Sequence, residues 1–147
     1  MGYFEDLRRF VGHRPLLMVG AAVLLVDAQG RLLLLERSDN GCWGPPGGAL
    51  EPGESVETAA RGEVREETGL EPGTLELFGV FSGPELFYRY PNGDEVYNVS
   101  IVYQAKAPGG LLRLNDEHVQ WGYFLPTDIP ANISPPVRPV IDRFIHS

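Results

Sequence analysis

An α/β sandwich built on a mixed sheet is the architecture to expect from these 147 residues, on three grounds. Short apolar runs suited to strands recur from Leu16 to Phe124, most of them bounded by turn residues. Helical periodicity appears in only a few places, chiefly one internal segment beginning at Ser55 and one terminal segment from Val137. Strands interleaved with helices in this way favour a layered α/β fold over an all-β barrel or a helical bundle. The length suits one domain over residues 1–147 with one substantial core.

In chain order, Tyr3 to Val11 places apolar residues at 3, 4, 7, 10 and 11. That is a helical period, and its apolar face would lie on the domain or on a second copy. Leu16 to Val26 and Arg31 to Glu36 read as strands joined across Asp27-Ala28-Gln29-Gly30, as a buried hairpin. Valine and leucine on both faces place the first of these centrally in a sheet covered on both sides. Ser38 to Pro46 reads as a loop, rich in Asp, Asn, Gly and Pro. Ser55 then opens a helix that stops at Gly69. Thr74 to Ser82 reads as a strand, and Glu85 to Tyr90 and Glu95 to Ala107 flank the turn Pro91-Asn92-Gly93-Asp94. A strand containing Trp121, Tyr123 and Phe124 follows. Val137 to Ile145 closes the chain as a helix with Val140, Ile141 and Phe144 inward.

Composition narrows the function. A formal net charge of -8 argues against a nucleic-acid polymer as partner, because phosphate backbones are held by lysine and arginine. It leaves room for a small phosphorylated substrate whose charge metal ions offset. A lone cysteine, Cys42, excludes an internal disulfide and fits a reducing, cytoplasmic compartment. The apolar run from Leu16 is too short to span a bilayer, so no membrane partner is expected. The three histidines lack metal-ligand spacing.

Chemistry concentrates between Gly48 and Leu70. A turn-rich loop carrying Gly47, Gly48, Pro52 and Gly53 leads into a helix on which Glu63, Glu66 and Glu67 are i, i+3 and i+4 neighbours. Like charges at that spacing repel, and carboxylates suit a hard divalent ion such as Mg²⁺ or Mn²⁺. A solvated acidic face is the bland alternative. With Gly48, Glu54, Glu63, Val64, Glu66, Glu67, Gly69 and Leu70 all on their places, the segment resembles the signature of the Nudix hydrolases. Gly62 departs from it, standing where the family has arginine.

The resemblance implies a Nudix-type α/β/α sandwich, with this loop and helix at one edge of the sheet. It implies metal ligation by Glu63, Glu66, Glu67 and the Gly48 carbonyl. Glu63 or Glu117 would accept a proton from attacking water, with Asp116 a second acidic candidate. Glu54 looks like a residue holding loop to helix or an outer metal contact. Arg37 is similar in place to phosphate-contacting arginines of the family, or is a surface arginine. Asn132 faintly resembles a base-contacting position, and Trp43 is a packing residue or a stacking one. The family arginine resembles a clamp that orients a carboxylate, so Gly62 leaves either another cation in that role or a looser site. Arg61 and Arg65 point away from Glu63 and Glu67 on the helical wheel.

The chain therefore reads as a metal-dependent hydrolase of a phosphoanhydride in a nucleoside diphosphate derivative. A nucleotide sugar such as ADP-ribose and a nucleoside triphosphate are the leading classes, and a homodimer is compatible with the apolar first helix. Two other readings predict different behaviour. A nucleotide-binding module with weakened catalysis at Gly62 would bind without releasing phosphate. An acidic interaction domain would gain no stability from Mg²⁺.

Overall fold

A computed structural model describes residues 2–147 of the chain. Its sheet is built from eight strands: β1 (Leu16–Val26), β2 (Leu32–Arg37), β3 (Trp43–Gly44), β4 (Gly47–Ala49), β5 (Glu76–Phe81), β6 (Phe87–Arg89), β7 (Glu95–Lys106) and β8 (His118–Phe124). Three helices accompany them, α1 (Tyr3–Val11), α2 (Val56–Thr68) and α3 (Arg138–Ile145). The path through the sheet runs β3-β2-β1-β7-β5, with β4 on β1, β6 on β7 and β8 on β2. β1 runs parallel to β7 along its whole length, while the other pairs are antiparallel, so the sheet is mixed as expected.

Alternation along β2 explains the layering. Leu32 and Leu34 join one cluster, and Leu33 and Leu35 join the other. A strand leucine-rich at every position is covered on both faces. All four are fully buried, and each contributes about 1.5–3 kcal/mol by leaving water. One cluster is closed by α3 through Val140, Ile141 and Phe144. The other is closed by α2 through Ala60 and Val64. The result is a sandwich with a helix on each face.

Four local expectations shift. β1 and β2 are neighbours joined by a turn, yet their ladder is confined to Val26 and Leu32. Beyond that pair they splay, because β1 takes β4 and β7 as partners while β2 takes β3 and β8. The opening between them becomes the cleft described below. The segment read as a loop at 38–46 contains β3, and Gly47–Ala49 extends as β4. Glycines mask strand character in the sequence, but here Gly47 lies so close to β1 that a Cβ would stand 2.6 Å from the Ala21 carbonyl oxygen. Pro84 opens a 3₁₀ turn over Pro84–Leu86, leaving only Phe87–Arg89 as strand. The last helix likewise begins with a 3₁₀ turn, Pro135–Val137, which tolerates the prolines that lack N–H donors.

Trp43 is a packing residue. It is buried edge-on against Phe124, with ring centroids 5.3 Å apart. α1 buries none of its residues fully. Its Arg8 is tied to the 89–95 hairpin and to the chain after the helix by hydrogen bonds to the carbonyls of Glu95, Gly12 and Arg14. No helix among the described residues is long and apolar enough to cross a membrane.

Candidate active site

The site is assembled by α2 lying across β4. Ser55 caps the helix, its Oγ accepting the Thr58 N–H at 3.2 Å, and Gly69 ends it at φ 73°. Ala60 and Val64 are pinned in the core, which fixes the helix's rotation and turns Glu63 and Glu67 toward the two glycines of β4. The Gly47 N–H donates to Glu67 Oε1 at 3.0 Å. Gly48 stands opposite Ala21 in the ladder, against the Glu63 carboxyl. A side chain at Gly48 would push β4 from α2, and one at Gly47 would push β4 from β1.

Glu63, Glu66 and Glu67 form one wall of a cleft of about 470 Å³. Arg37, Asp39, Glu117 and His118 line it from β2, the loop that follows, and the start of β8. Its floor is β1 and β7, where Met18 and Gly20 lie beside Asn98 and Ser100. Tyr88 and Tyr90, packed edge to face at 4.9 Å, supply an aromatic wall. Arg37, Gly48, Glu63, Glu66, Glu67 and Glu117 therefore gather in one cavity, whereas Asp116, Glu54, Asn132 and Trp43 do not line it. Ser38 fixes the turn there, its Oγ and N–H both donating to the Glu117 carbonyl. Glu54 accepts the Glu51 N–H at 2.8 Å, holding the loop before α2. The Asn132 side chain donates to the Gly41 carbonyl and supports the loop after β2 instead of lining the cleft.

Charge in the cleft is lopsided. Glu67 is only 3% exposed, and burial pushes its carboxyl up to about 9. The neighbouring Glu63 carboxyl adds to that rise, and the Gly47 N–H opposes it. Burial also raises Glu63, and the charges of Glu66, Glu117 and Glu54 act in the same direction. Glu117 thus faces α2 closely enough to disfavour ionisation of both. Arg37, the only lysine or arginine among the described residues that lines the cleft, is held by Asp39 through two bonds, Nε to Oδ1 at 2.9 Å and Nη2 to Oδ2 at 2.7 Å. Arg61 donates to the Pro72 carbonyl and Arg65 to Glu71, away from the cleft. Among the described residues no cation pairs with Glu63, Glu66 or Glu67, so no strand supplies a substitute at the place Gly62 leaves.

An all-oxygen donor set with no paired cation suits a hard divalent ion in its chemistry. In this arrangement no trio of His, Cys, Asp or Glu among the described residues converges tightly enough to hold one. His118 was not foreseen here. Its Nδ1 is buried without a hydrogen-bond partner, and burial lowers its pKa. Nor were Asn98, Ser100 and the Tyr88–Tyr90 wall assigned. The available signal was Gly20-Ala21-Ala22, a run of small residues inside an otherwise bulky strand.

This is the architecture of a known family. Residues 16–144 match the NUDIX domain model, and the chain belongs to that family. It is similar to the ADP-ribose pyrophosphatase of Methanocaldococcus jannaschii, with 36% identity over 109 residues that cover 72% of this chain and 61% of that protein. It also resembles a MutT-like protein of Streptomyces ambofaciens, 35% identical over 120 residues, 82% of this chain and 71% of the relative. Among solved structures, a MutT NUDIX hydrolase from Burkholderia pseudomallei is 31% identical with a TM-score of 0.73, covering 86% of this chain and 97% of that one. The match thus spans less than two thirds of the archaeal pyrophosphatase.

Proposed function

We propose that this chain is a divalent-metal-dependent pyrophosphohydrolase acting on a nucleoside diphosphate linked to a further group. The observation that carries this reading is the meeting of Glu63, Glu66 and Glu67 with Glu117 across one cleft. Glu63, Glu66, Glu67 and the Gly48 carbonyl would hold Mg²⁺ or Mn²⁺. The bound ion would offset phosphate charge and acidify water. Glu117 or Glu63 would take the proton of the water that attacks phosphorus. Arg37, already oriented by Asp39, would offer its planar fork to a phosphate oxygen pair. The Tyr88–Tyr90 wall and the shallow floor at Gly20 would receive the nucleoside.

The relatives named ADP-ribose pyrophosphatase, putative 8-oxo-dGTP diphosphatase and nucleoside triphosphatase NudI support nucleotide sugars and nucleoside triphosphates as the substrate classes. A second copy would find Tyr3 and Phe10 exposed on α1. Free Cys42 fits a cytoplasmic setting.

A second reading, a nucleotide-binding module with weakened catalysis, is favoured by one observation: the acids of α2 have no cationic partner beside Gly62. A phosphate-release screen over nucleotide sugars, dinucleotides and triphosphates with Mg²⁺ or Mn²⁺ separates the two, with Glu67→Gln alongside. Metal-dependent release that Glu67→Gln abolishes supports the hydrolase. Nucleotide-induced stabilisation without release supports the binding module, and neither response defeats both.

A further inference from the structure

A second cavity of about 440 Å³ opens beside the cleft, roofed by α1 and the turn after β6. Met18 and Tyr90 line both cavities, so the two are neighbours that share a wall. Tyr90, which lines both, stands on the boundary between the cleft and α1. The roof lies outside the family match, which begins at residue 16, beyond α1.

The chemistry of this cavity is unlike that of the cleft. Phe4, Met18 and Tyr90 give it an apolar body, and Glu5 and Asp94 put carboxylates at its rim. Among the described residues Arg8 is the lone lysine or arginine lining it, and its guanidinium is already committed. One Nη donates to the Gly12 and Arg14 carbonyls at 2.9 and 2.6 Å, and the other donates to the Glu95 carbonyl at 2.6 Å. The remaining nitrogen, Nε, lies 3.6 Å from Asp94. A further phosphate entering here would meet the Glu5 carboxylate and Asp94, which His13 already contacts at 2.7 Å, and no free lysine or arginine among the described residues. A ring with hydroxyls would meet aromatic and aliphatic surface, with carboxylate oxygens to accept its O–H groups.

We propose that this cavity is the subsite for the group beyond the scissile diphosphate, and that it admits an uncharged hydroxyl-bearing ring, the sugar of a nucleoside diphosphate sugar, in preference to a third phosphate. This rests on the pyrophosphohydrolase reading and narrows its substrate class. α1 is then a specificity element appended to the domain, positioned by Arg8.

The test compares ADP-ribose and ATP as Mg²⁺ substrates for the wild type, Phe4→Ala, Glu5→Lys, Glu5→Gln and Phe10→Ala. The wild type should favour ADP-ribose in kcat/KM by at least about tenfold, the value of one good apolar contact plus avoided repulsion. Phe4→Ala should raise KM for ADP-ribose about tenfold and change that for ATP by less than about twofold. Glu5→Lys should lower KM for ATP by about threefold or more, with Glu5→Gln, which keeps an acceptor for the Gly2 N–H that caps α1, lowering it in the same direction. Phe10→Ala, on the solvent side of the same helix at 86% exposure, should alter neither substrate. Equal use of both substrates, or parallel shifts for both in Phe4→Ala and Glu5→Lys, would overturn the subsite while leaving the hydrolase reading intact. If neither compound is hydrolysed the reaction itself fails. Calorimetric Kd values for the same two ligands then decide the subsite by the same ratios.

Discussion

Gly48 and Glu63 are in such close contact that a Cβ at residue 48 would stand 2.6 Å from the Glu63 carboxyl carbon. Strand β4 and helix α2 therefore meet through an absent side chain, and the position of one acid is set by a glycine fifteen residues earlier. Gly47 does the companion task for Glu67 by donating its N–H. The consequences can be measured.

Gly48→Ala should displace Glu63. Residue 48 has no positive φ, so the penalty is steric, and overpacking of this kind costs about 1–3 kcal/mol. Thermal unfolding should register that loss. The rise in melting temperature on adding Mn²⁺ should shrink as well. A variant that keeps both stability and metal response would show that the contact does not position the acid.

Stability without divalent ions should fall as pH rises. Glu67 is raised from 4.5 to about 9 in the folded chain, so between those values the folded state holds a proton that the unfolded state has lost. Stability is then full below the unfolded value and drains away toward the folded one. Glu63 is raised too and contributes with the same sign, whereas His118, lowered by burial, contributes the opposite slope near its ordinary 6.5. Melting curves in chelator from pH 5 to 9 should fall for the wild type and flatten in Glu67→Gln. Saturating Mg²⁺ should oppose the fall if the ionised carboxylates are its ligands.

At residue 62 a Cβ meets nothing within 4 Å, so a larger side chain fits. Gly62→Arg should stabilise the chain by about 1 kcal/mol through helix propensity alone. If the guanidinium also orients the neighbouring carboxyls, turnover or Mg²⁺ affinity should rise with it. Stabilisation with neither gain would mean that no clamp is missing.

Arg37→Gln should separate binding from folding. Its pair with Asp39 is substantially exposed, 44% and 59% for the two side chains, so stability should change by less than about 1 kcal/mol. KM for the nucleotide substrate should rise about tenfold or more if the fork binds phosphate. An unchanged KM would return Arg37 to a purely local role on Asp39.

Much of this was legible along the chain because it depends on local rules. Ser55 and Gly69 bound a helix through capping and a left-handed φ, both properties of single residues. Leu32 to Leu35 announce a strand covered on both sides, and Val140, Ile141 and Phe144 announce an inward helical face. The spacing of Glu63, Glu66 and Glu67 puts them together on any helix. What sequence could not decide was rotation and distance. The burial of Ala60 and Val64 selects which way those acids turn, and Glu67 becomes a buried acid instead of a solvated one only because β4 lies over it. The splaying of β1 from β2, which opens the cleft, follows from competition among strands distant in sequence. So does the choice of Glu117 over Asp116, since adjacent residues in a turn face different ways and only the packed β8 fixes which one looks across at α2. Propensity and period act over a few residues, whereas a site is made by contacts between segments that only a closed core holds in place.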